Sequence, residues 1–249
     1  MLAELWIKAL SGIPLIQPGD DLSKIIYKAL EVNHIQLQDQ DVLVISSKIV
    51  SKAEGRFVDL STVTPSETAL QIAQETHKDP RIVHLVLQES VAISRKAPHV
   101  LIVQHRLGFV SANAGIDQSN VGENREMVLL LPENPDASAE RIRQAFDNKI
   151  GVIISDSHGR PFRLGNVGVA IGVAGLPALV DLRGQSDLFG YELRISIQGY
   201  ADLIASAAHL VCGEGNEGLP VVLIRGLTYT QTNGRANDLN RPPEQDLYR

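Results

Sequence analysis

The stretch VIISDSHGRP, residues 152–161, joins a short apolar run directly to a cluster of polar side chains. The apolar run from Val152 to Ile154 predicts a buried strand, which we expect to end where Ser155 and Asp156 begin a polar loop. An aspartate in this place often only closes a turn. It is also the type of ligand that Mg²⁺ and Mn²⁺ prefer, and Ser157 offers a further oxygen beside it. The stretch therefore predicts either a turn or part of a metal site.

A second stretch, FVSANAGIDQSN at 109–120, repeats this arrangement. A short apolar strand leads into a glycine-containing loop that carries Asn113, Asp117, Ser119 and Asn120. As a turn rich in aspartate and asparagine, the loop needs no further function. Two acid-bearing loops after two apolar strands are nevertheless what a metal site with two carboxylates requires. Each stretch alone leaves both interpretations open.

Two further stretches have the composition of phosphate-binding segments. In CGEGNEGLP, residues 212–220, three glycines would let backbone N–H groups approach a phosphate closely, although a helix end is the simpler alternative. It is not a Walker A loop, since no Gly-Lys-Ser/Thr follows. In SSKIVSKAEGR, residues 46–56, Lys48, Lys52 and Arg56 predict a phosphate clamp or, alternatively, a solvated helix face.

The composition restricts the class of protein. The chain has 249 residues, of which 44% are hydrophobic and 4% aromatic, so we expect a core of Val, Ile, Leu and Ala. Its net charge of −6 argues against nucleic acid as a partner. The single cysteine, Cys212, predicts a cytoplasmic protein without an internal disulfide. We expect neither a signal peptide nor a membrane span, and the seven histidines show no zinc-type spacing.

Hydrophobic periodicity predicts strands and helices that alternate without a strict βαβ rhythm, which favours an α+β or mixed α/β fold. Helices are predicted over 21–32, 47–55, 64–77, 79–90, 134–148 and 199–213, and strands over 4–10, 41–46, 99–106, 125–131, 150–155, 167–175, 178–184, 193–197 and 219–226. We expect Thr64 to cap the third helix, with Pro65 in its first turn. The polar residues from Thr228 onward predict a loose tail.

In their order and spacing, these stretches resemble the coenzyme F420-0:γ-glutamyl ligase family, from GIPLI (12–16) to NEGLPVVLIRG (216–226). The resemblance implies a ligase domain over 1–227, formed as one unit or as two subdomains, followed by the polar tail 228–249. It also implies GTP-dependent addition of L-glutamate to coenzyme F420-0, or to its dehydro precursor, through an acyl phosphate. Two divalent ions (Mg²⁺ or Mn²⁺), K⁺ and an intertwined homodimer with a mixed α/β fold are further expectations from this resemblance.

The resemblance also implies roles for individual residues. Asp117 and Asp156 would bind one divalent ion, and Ser157 and Glu214 the second. Together with both aspartates, Lys52 and Arg160 would be catalytic. Nucleotide contacts are implied for Gly12, Ile13, Pro14, Leu15, Ser47, Lys48, Lys52, Asn120, Cys212, Gly213, Glu214, Gly215, Asn216, Glu217, Gly218 and Leu219.

The chain departs from the family pattern at three of its positions. Ser157 stands where threonine is commoner, Glu214 where glutamine is frequent, and Leu203 where the family usually has an acid. Two other functions remain open from the residues alone: a metal-dependent phosphatase or nucleotidase, and a nucleotide-binding subunit without catalytic activity.

Overall fold

The computed structural model describes residues 4–147 and 149–246, which form a mixed α and β structure around a five-stranded sheet. In spatial order the strands are β1 (Trp6–Ala9), β12 (Val221–Arg225), β2 (Val42–Ser46), β8 (Gly151–Arg160) and β9 (Arg163–Ala174). Strands β2 and β8 are parallel, and the other neighbours are antiparallel. The predicted mixture of α and β structure is confirmed. Asn148, at the end of a predicted helix, and the last three residues of the predicted tail lie outside the described residues.

Strands β2 and β8 occupy the inner part of the sheet because both faces of each strand are covered. Their apolar residues, Val42 to Ile45 and Val152 to Ile154, are almost completely buried. Side chains alternate between the faces of a strand. Accordingly, Leu43 and Ile45 belong to one hydrophobic core, and Val42 and Val44 to the other. Unbroken apolar runs of this kind are typical of parallel strands with helices on both sides.

Helices cover the two faces of this sheet. The core on one face includes residues of α1 (Leu22–Val32), α2 (Ser47–Ala53) and α5 (Pro135–Gln144). The core on the other face includes residues of α6 (Tyr200–Cys212). Helix α6 can lie close to β9 because Gly168 has no side chain, since a Cβ there would be 2.6 Å from the Ala205 carbonyl oxygen. This close packing brings the end of α6 beside β8.

The segment between α2 and α5 forms two smaller sheets with cores of their own. Strand β3 (Phe57–Asp59) pairs with β7 (Met127–Leu129), and β4 (Ser90–Ala97), β5 (Val100–His105) and β6 (Val110–Ala112) form an antiparallel sheet. Helices α3 (Glu67–Thr76) and α4 (Pro80–Gln88) pack against the second sheet. Further along the chain, β10 (Leu179–Asp181) pairs with β11 (Ile197–Gly199). Short 3₁₀ turns lie at Leu60–Thr62, Asn113–Gly115, Ala236–Leu239 and Pro243–Gln245.

The strand in the stretch 152–161 is longer than its sequence predicts. β8 continues through Asp156 to Arg160 because β9 pairs with it as an antiparallel hairpin, with Asp156 opposite Val169. The prediction that Asp156 lies in a loop is therefore wrong. Polar side chains are tolerated here because burial decreases towards the tip of the hairpin, where β8 and β9 leave the core.

Two other local predictions are wrong, and strand β4 was missed. Helix α3 is capped by Ser66, whose hydroxyl accepts the Ala69 N–H, and not by Thr64. The predicted strand 193–197 is irregular up to its last residue, where β11 begins. Strand β4 was not predicted, because most of its residues are exposed and the apolar pattern that marks a half-buried strand is missing.

Part of the segment after β12 is packed against the rest of the molecule. Tyr229 is only 7% exposed and belongs to the core beneath α6. The Gln40 side-chain amide donates a hydrogen bond to the Tyr229 carbonyl, and the Asn240 amide donates one to the Leu107 carbonyl. The prediction of a loose tail is therefore wrong around Tyr229 and Asn240, whereas residues 241–246 are mostly exposed. Within the described ranges, every helix is too short or too polar to span a bilayer.

Candidate functional site

A cavity of about 1140 Å³ opens where β2 and β8 lie side by side. Its wall combines the loop after β1, the start of α2, the segment 112–122, the middle of β8, and the end of α6 with the glycine loop that follows. Most of the predicted site residues line it: Ile13, Pro14, Leu15, Ser47, Lys48, Lys52, Asp117, Asn120, Asp156, Ser157, Cys212, Gly213, Glu214, Gly215, Asn216, Glu217, Gly218 and Leu219. Residues from five separate segments thus meet at one place.

The Asp156 carboxylate is held at both oxygens. Oδ1 accepts a hydrogen bond of 3.1 Å from the Ser47 hydroxyl, and Oδ2 lies 3.0 Å from His158 Nε2. Ser47 reaches Asp156 because α2 starts directly after β2, whose last residue, Ser46, pairs with Ser155 of β8. His158 reaches it because residues two apart in a strand share a face. Asp156 therefore lines the cavity with a hydrogen-bonding partner at each carboxylate oxygen.

Asp117 is held by its backbone and by an ion pair. Its N–H and carbonyl form an isolated bridge with Leu129 of β7. Its Oδ2 lies 2.7 Å from Lys48 Nζ, and its Oδ1 accepts hydrogen bonds from the backbone N–H and the hydroxyl of Ser119. The ammonium of Lys48 thus connects α2 to the loop that follows β6.

Lys48 and Lys52 are one helical turn apart on α2, and both line the cavity. Burial and the neighbouring Lys48 charge lower the pKa of Lys52, and the opposing effect of Asp117 is smaller. Two ammonium groups that repel each other at the wall of a cavity are stabilised by an anion between them. This part of the wall is therefore suited to phosphate oxygens.

The other face of β8 carries a second polar group that includes the end of α6. The Ser157 hydroxyl donates a 2.7 Å hydrogen bond to Glu214 Oε1, and His209 Nδ1 lies 3.3 Å from the same oxygen. His209 Nε2 in turn lies 3.4 Å from the Ser155 hydroxyl. The two predicted ligands of a second ion, Ser157 and Glu214, are thus in direct contact.

The glycine loop after α6 is ordered by its own side chains and by the loop that carries Asp117. The Asn120 amide donates a 2.9 Å hydrogen bond to the Gly215 carbonyl, and the Gly215 N–H donates one of 2.8 Å to Glu217 Oε2. Gly213 has a φ of +73°, which favours glycine. A carboxylate oxygen on the Gly215 N–H shows that this donor accommodates an anionic oxygen.

The acidic residues around the cavity are suited to hard divalent ions that also bind phosphate. In the ranges 4–147 and 149–246, no three His, Cys, Asp or Glu side chains converge into a complete metal site. Mg²⁺ commonly takes only one or two carboxylates and completes its shell with water and substrate phosphates. Asp117, Asp156, Ser157 and Glu214 therefore have the right donor chemistry, provided that Lys48 moves away from Asp117.

Gly12 and Arg160, which were also predicted for the site, do not line the cavity. Gly12 packs beside Val32, and Arg160 Nη2 donates a hydrogen bond to the Leu164 carbonyl in the hairpin turn. Leu203 lies on α6 with 56% of its surface exposed.

Sequence reasoning missed the histidines of the site. His158 contacts the Asp156 carboxylate and His209 contacts the Glu214 carboxylate. From the sequence, the histidines were interpreted as scattered. For His158 there was a usable signal, since it lies two residues after Asp156. That signal depends on a strand continuing through both residues, and the polar composition of 155–160 argued against one.

Comparisons with known proteins show which family the sequence is similar to. Residues 12–226 match the sequence model of a family described as F420-0:Gamma-glutamyl ligase. A protein from Methanothermobacter thermautotrophicus named coenzyme F420:L-glutamate ligase is 44% identical over 244 residues, which cover 96% of each chain. Proteins of the same name from Methanocaldococcus jannaschii and Archaeoglobus fulgidus are both 42% identical, over 95% and 96% of this chain and 94% of their own.

Proposed function

The chain belongs to the F420-0:Gamma-glutamyl ligase family, and from this premise we propose that it joins L-glutamate to coenzyme F420-0 with GTP as the phosphoryl donor. It is thus a ligase that forms an amide bond. The observation that supports this function best is the cavity in which two lysines, two aspartates and a glycine loop meet. Such a cavity offers both cations and backbone donors to a nucleotide and to an anionic acceptor.

Amide formation requires that the coenzyme carboxylate is first activated, because hydroxide is a poor leaving group. The carboxylate oxygen attacks the γ-phosphorus of GTP, the bond to the β-phosphate oxygen breaks, and an acyl phosphate and GDP form. The glutamate amine then attacks the acyl carbon. The C–N bond forms, the C–O bond to phosphate breaks, and the amine loses a proton. Most of the catalysis in such a phosphoryl transfer comes from positioning and charge stabilisation.

The lysines of α2 would bring the two anions together. Lys52 and Lys48 face the cavity and would neutralise phosphate oxygens of GTP and the approaching carboxylate. The Gly215 N–H would bind a phosphate oxygen in place of Glu217. Divalent ions at Asp117, Asp156, Ser157 and Glu214 would supply further neutralisation of the phosphates. We propose that the protein also uses K⁺ as an additional cation.

We also propose a cytoplasmic homodimer in which the two chains intertwine. Large apolar side chains are exposed at the tip of the β8–β9 hairpin and between β10 and β11: Phe162, Leu164, Leu188, Phe189, Tyr191 and Ile195. An apolar surface of this kind usually marks an interface. Light scattering on the purified protein tests the dimer, and a monomer at micromolar concentration would contradict it.

The ligase function is tested by incubating the protein with GTP, Mn²⁺, L-glutamate and coenzyme F420-0 and measuring product masses. We expect the coenzyme to gain glutamate, with sustained GDP release only when both L-glutamate and coenzyme F420-0 are present. Asp117→Asn and Asp156→Asn should each abolish ligation without lowering the melting temperature. Asp181→Asn is the matched control, because Asp181 pairs with Arg183 on an exposed strand away from the cavity.

The same assay separates the two alternative functions. A phosphatase or nucleotidase would release GDP or phosphate without glutamate and without coenzyme. A subunit without catalytic activity would bind GTP in a calorimetric titration but give no product.

A further inference from the structure

His158 contacts the Asp156 carboxylate from within the same strand. Its Nε2 lies 3.0 Å from Asp156 Oδ2, and only 10% of its side chain is exposed. The other carboxylate oxygen is bonded to Ser47. The family resemblance assigns no role to His158, and the reaction described above does not use it.

The His158 ring is the outer member of a stack of three rings. Its centroid lies 4.9 Å from that of Phe109, with the planes inclined at 51°. Phe109 in turn stacks on His105 at 5.0 Å, with the planes almost parallel at 10°. Distances and angles of this kind are typical of stabilising contacts between rings. The contact with Phe109 therefore restricts the rotamer of His158.

The inner end of the stack is fixed by buried polar contacts. His105 is fully buried, and its Nδ1 accepts the Leu107 N–H at 3.0 Å. Its Nε2 lies 3.6 Å from Glu89 Oε2, which is beyond hydrogen-bond distance. Glu89 is also bound by Arg56 and Arg106. The three rings thus extend from the ion pairs around Glu89 to the Asp156 carboxylate in the cavity.

We propose that His158 is a positioning residue that fixes the orientation of the Asp156 carboxylate through Nε2, while Phe109 and His105 fix His158. The physical reason is that a carboxylate held by Ser47 alone could rotate about its side-chain bonds. Groups that orient a ligand carboxylate in this way commonly change metal affinity or activity about 10- to 100-fold when they are lost. The proposal rests on the proposed function, in which Asp156 acts on a divalent ion and phosphate.

Two substitutions separate the hydrogen bond from the ring. His158→Phe keeps a ring against Phe109 but has no donor, whereas His158→Gln keeps an N–H donor without the ring. For the Phe variant we expect kcat to fall about 10-fold or more, KM for GTP to change less than about 2-fold, and Mn²⁺ affinity of the nucleotide-free protein to fall about 10-fold. The Gln variant should recover most of kcat and of Mn²⁺ affinity.

His84→Phe is the control, since His84 lies on α4 and its Nδ1 only accepts the Ser66 N–H. It should leave kcat and Mn²⁺ affinity unchanged. A Phe variant with wild-type kcat and Mn²⁺ affinity, or a Gln variant as impaired as the Phe variant, would overturn the positioning role. If the wild-type protein makes no glutamylated product, the ligase function itself is contradicted. Because Mn²⁺ binding is measured by calorimetry without substrates, the two failures are distinguishable.

Discussion

Lys48 places its ammonium where a cation would bind Asp117. Its Nζ contacts the Asp117 carboxylate at 2.7 Å and the Ser119 carbonyl at 3.1 Å. Both charged side chains remain partly exposed, so the pair contributes at most about 1 kcal/mol. An ion pair of this strength can order the loop that carries Asp117, and a bound cation can still replace it. A divalent ion at Asp117 would therefore compete with Lys48 and release it towards a phosphate.

Removing this competition should strengthen metal binding. We predict that Lys48→Gln raises the Mn²⁺ affinity of the nucleotide-free protein about 2- to 5-fold, as expected from the loss of a weak ion pair, and lowers the affinity for GTP. Calorimetric titrations with each ligand measure both effects. Lys24→Gln is the control, because Lys24 forms an exposed pair with Asp21 on α1. Weaker Mn²⁺ binding in the Lys48 variant would contradict the competition.

Glu89 makes the stability of the smaller sheets depend on pH. Burial alone would raise its pKa, but contacts with His105 and Arg106 and the charge of Arg56 outweigh burial and lower the pKa from 4.5 to about 2. A lowered pKa means that the charged form stabilises the fold. This contribution is complete above about pH 4.5, where the unfolded chain also ionises, and is lost as the pH falls towards 2.

Glu89→Gln should therefore remove stability at neutral pH. From the size of the pKa shift, we expect a decrease of roughly 3 kcal/mol in the free energy of unfolding at pH 7, and a difference from wild type that shrinks below pH 4.5. Urea unfolding between pH 3 and 7 measures this difference. Glu75→Gln should change the stability by about 1 kcal/mol or less, because the Glu75–Lys96 pair is exposed. A difference for Glu89→Gln that does not depend on pH would contradict the electrostatic origin.

At the scale of elements, the helices could be predicted because each carries its own signal. Helices α1, α4 and α5 have an apolar face at helical spacing and an Asp or Asn cap, all of which are local properties of the sequence. The outer half of β8 and the whole of β4 could not be predicted in this way. Their residues are polar or exposed, and they form strands only because a neighbouring strand pairs with them.

Close packing of β9 against α5 depends on a position without a side chain. A Cβ at Gly172 would lie 2.5 Å from the carbonyl carbon and oxygen of Pro135. We predict that Gly172→Ala lowers the free energy of unfolding by about 1–3 kcal/mol, since backbone atoms must shift. Gly159→Ala, in the same hairpin, should change it by less than about 0.5 kcal/mol, because the nearest atom is 3.9 Å away. Equal effects in urea unfolding would contradict this assignment.

At the scale of the whole molecule, the family and the members of the cavity wall could be predicted from the motifs. The comparisons confirm the family, and the cavity brings together Lys48, Lys52, Asp117, Asp156 and Glu214. What could not be predicted are contacts between distant segments, such as the ring stack from His105 to His158. Such contacts depend on how complete sheets pack and leave no pattern within a short window of sequence.

The packed tail should contribute to the stability of the molecule. We predict that Tyr229→Ala lowers the free energy of unfolding by about 3–5 kcal/mol, as for other large buried aromatic side chains. Deletion of residues 241–249 is the control, because its described part is mostly exposed, and should cost less than about 0.5 kcal/mol. Chemical denaturation measures both. A Tyr229 variant as stable as the wild type would contradict the packing role of the tail.

The order of strands in the central sheet has a consequence for how the protein folds. Strand β12 lies between β1 and β2, and β8 pairs with β2 across a long intervening segment. Ser47 and Asp156, which are bonded in the cavity, are 109 residues apart in sequence. Contacts between distant residues form slowly, because a long loop must be closed before they stabilise anything. We therefore expect the smaller sheets to form early during synthesis, and the cavity to close only after β12 has left the ribosome.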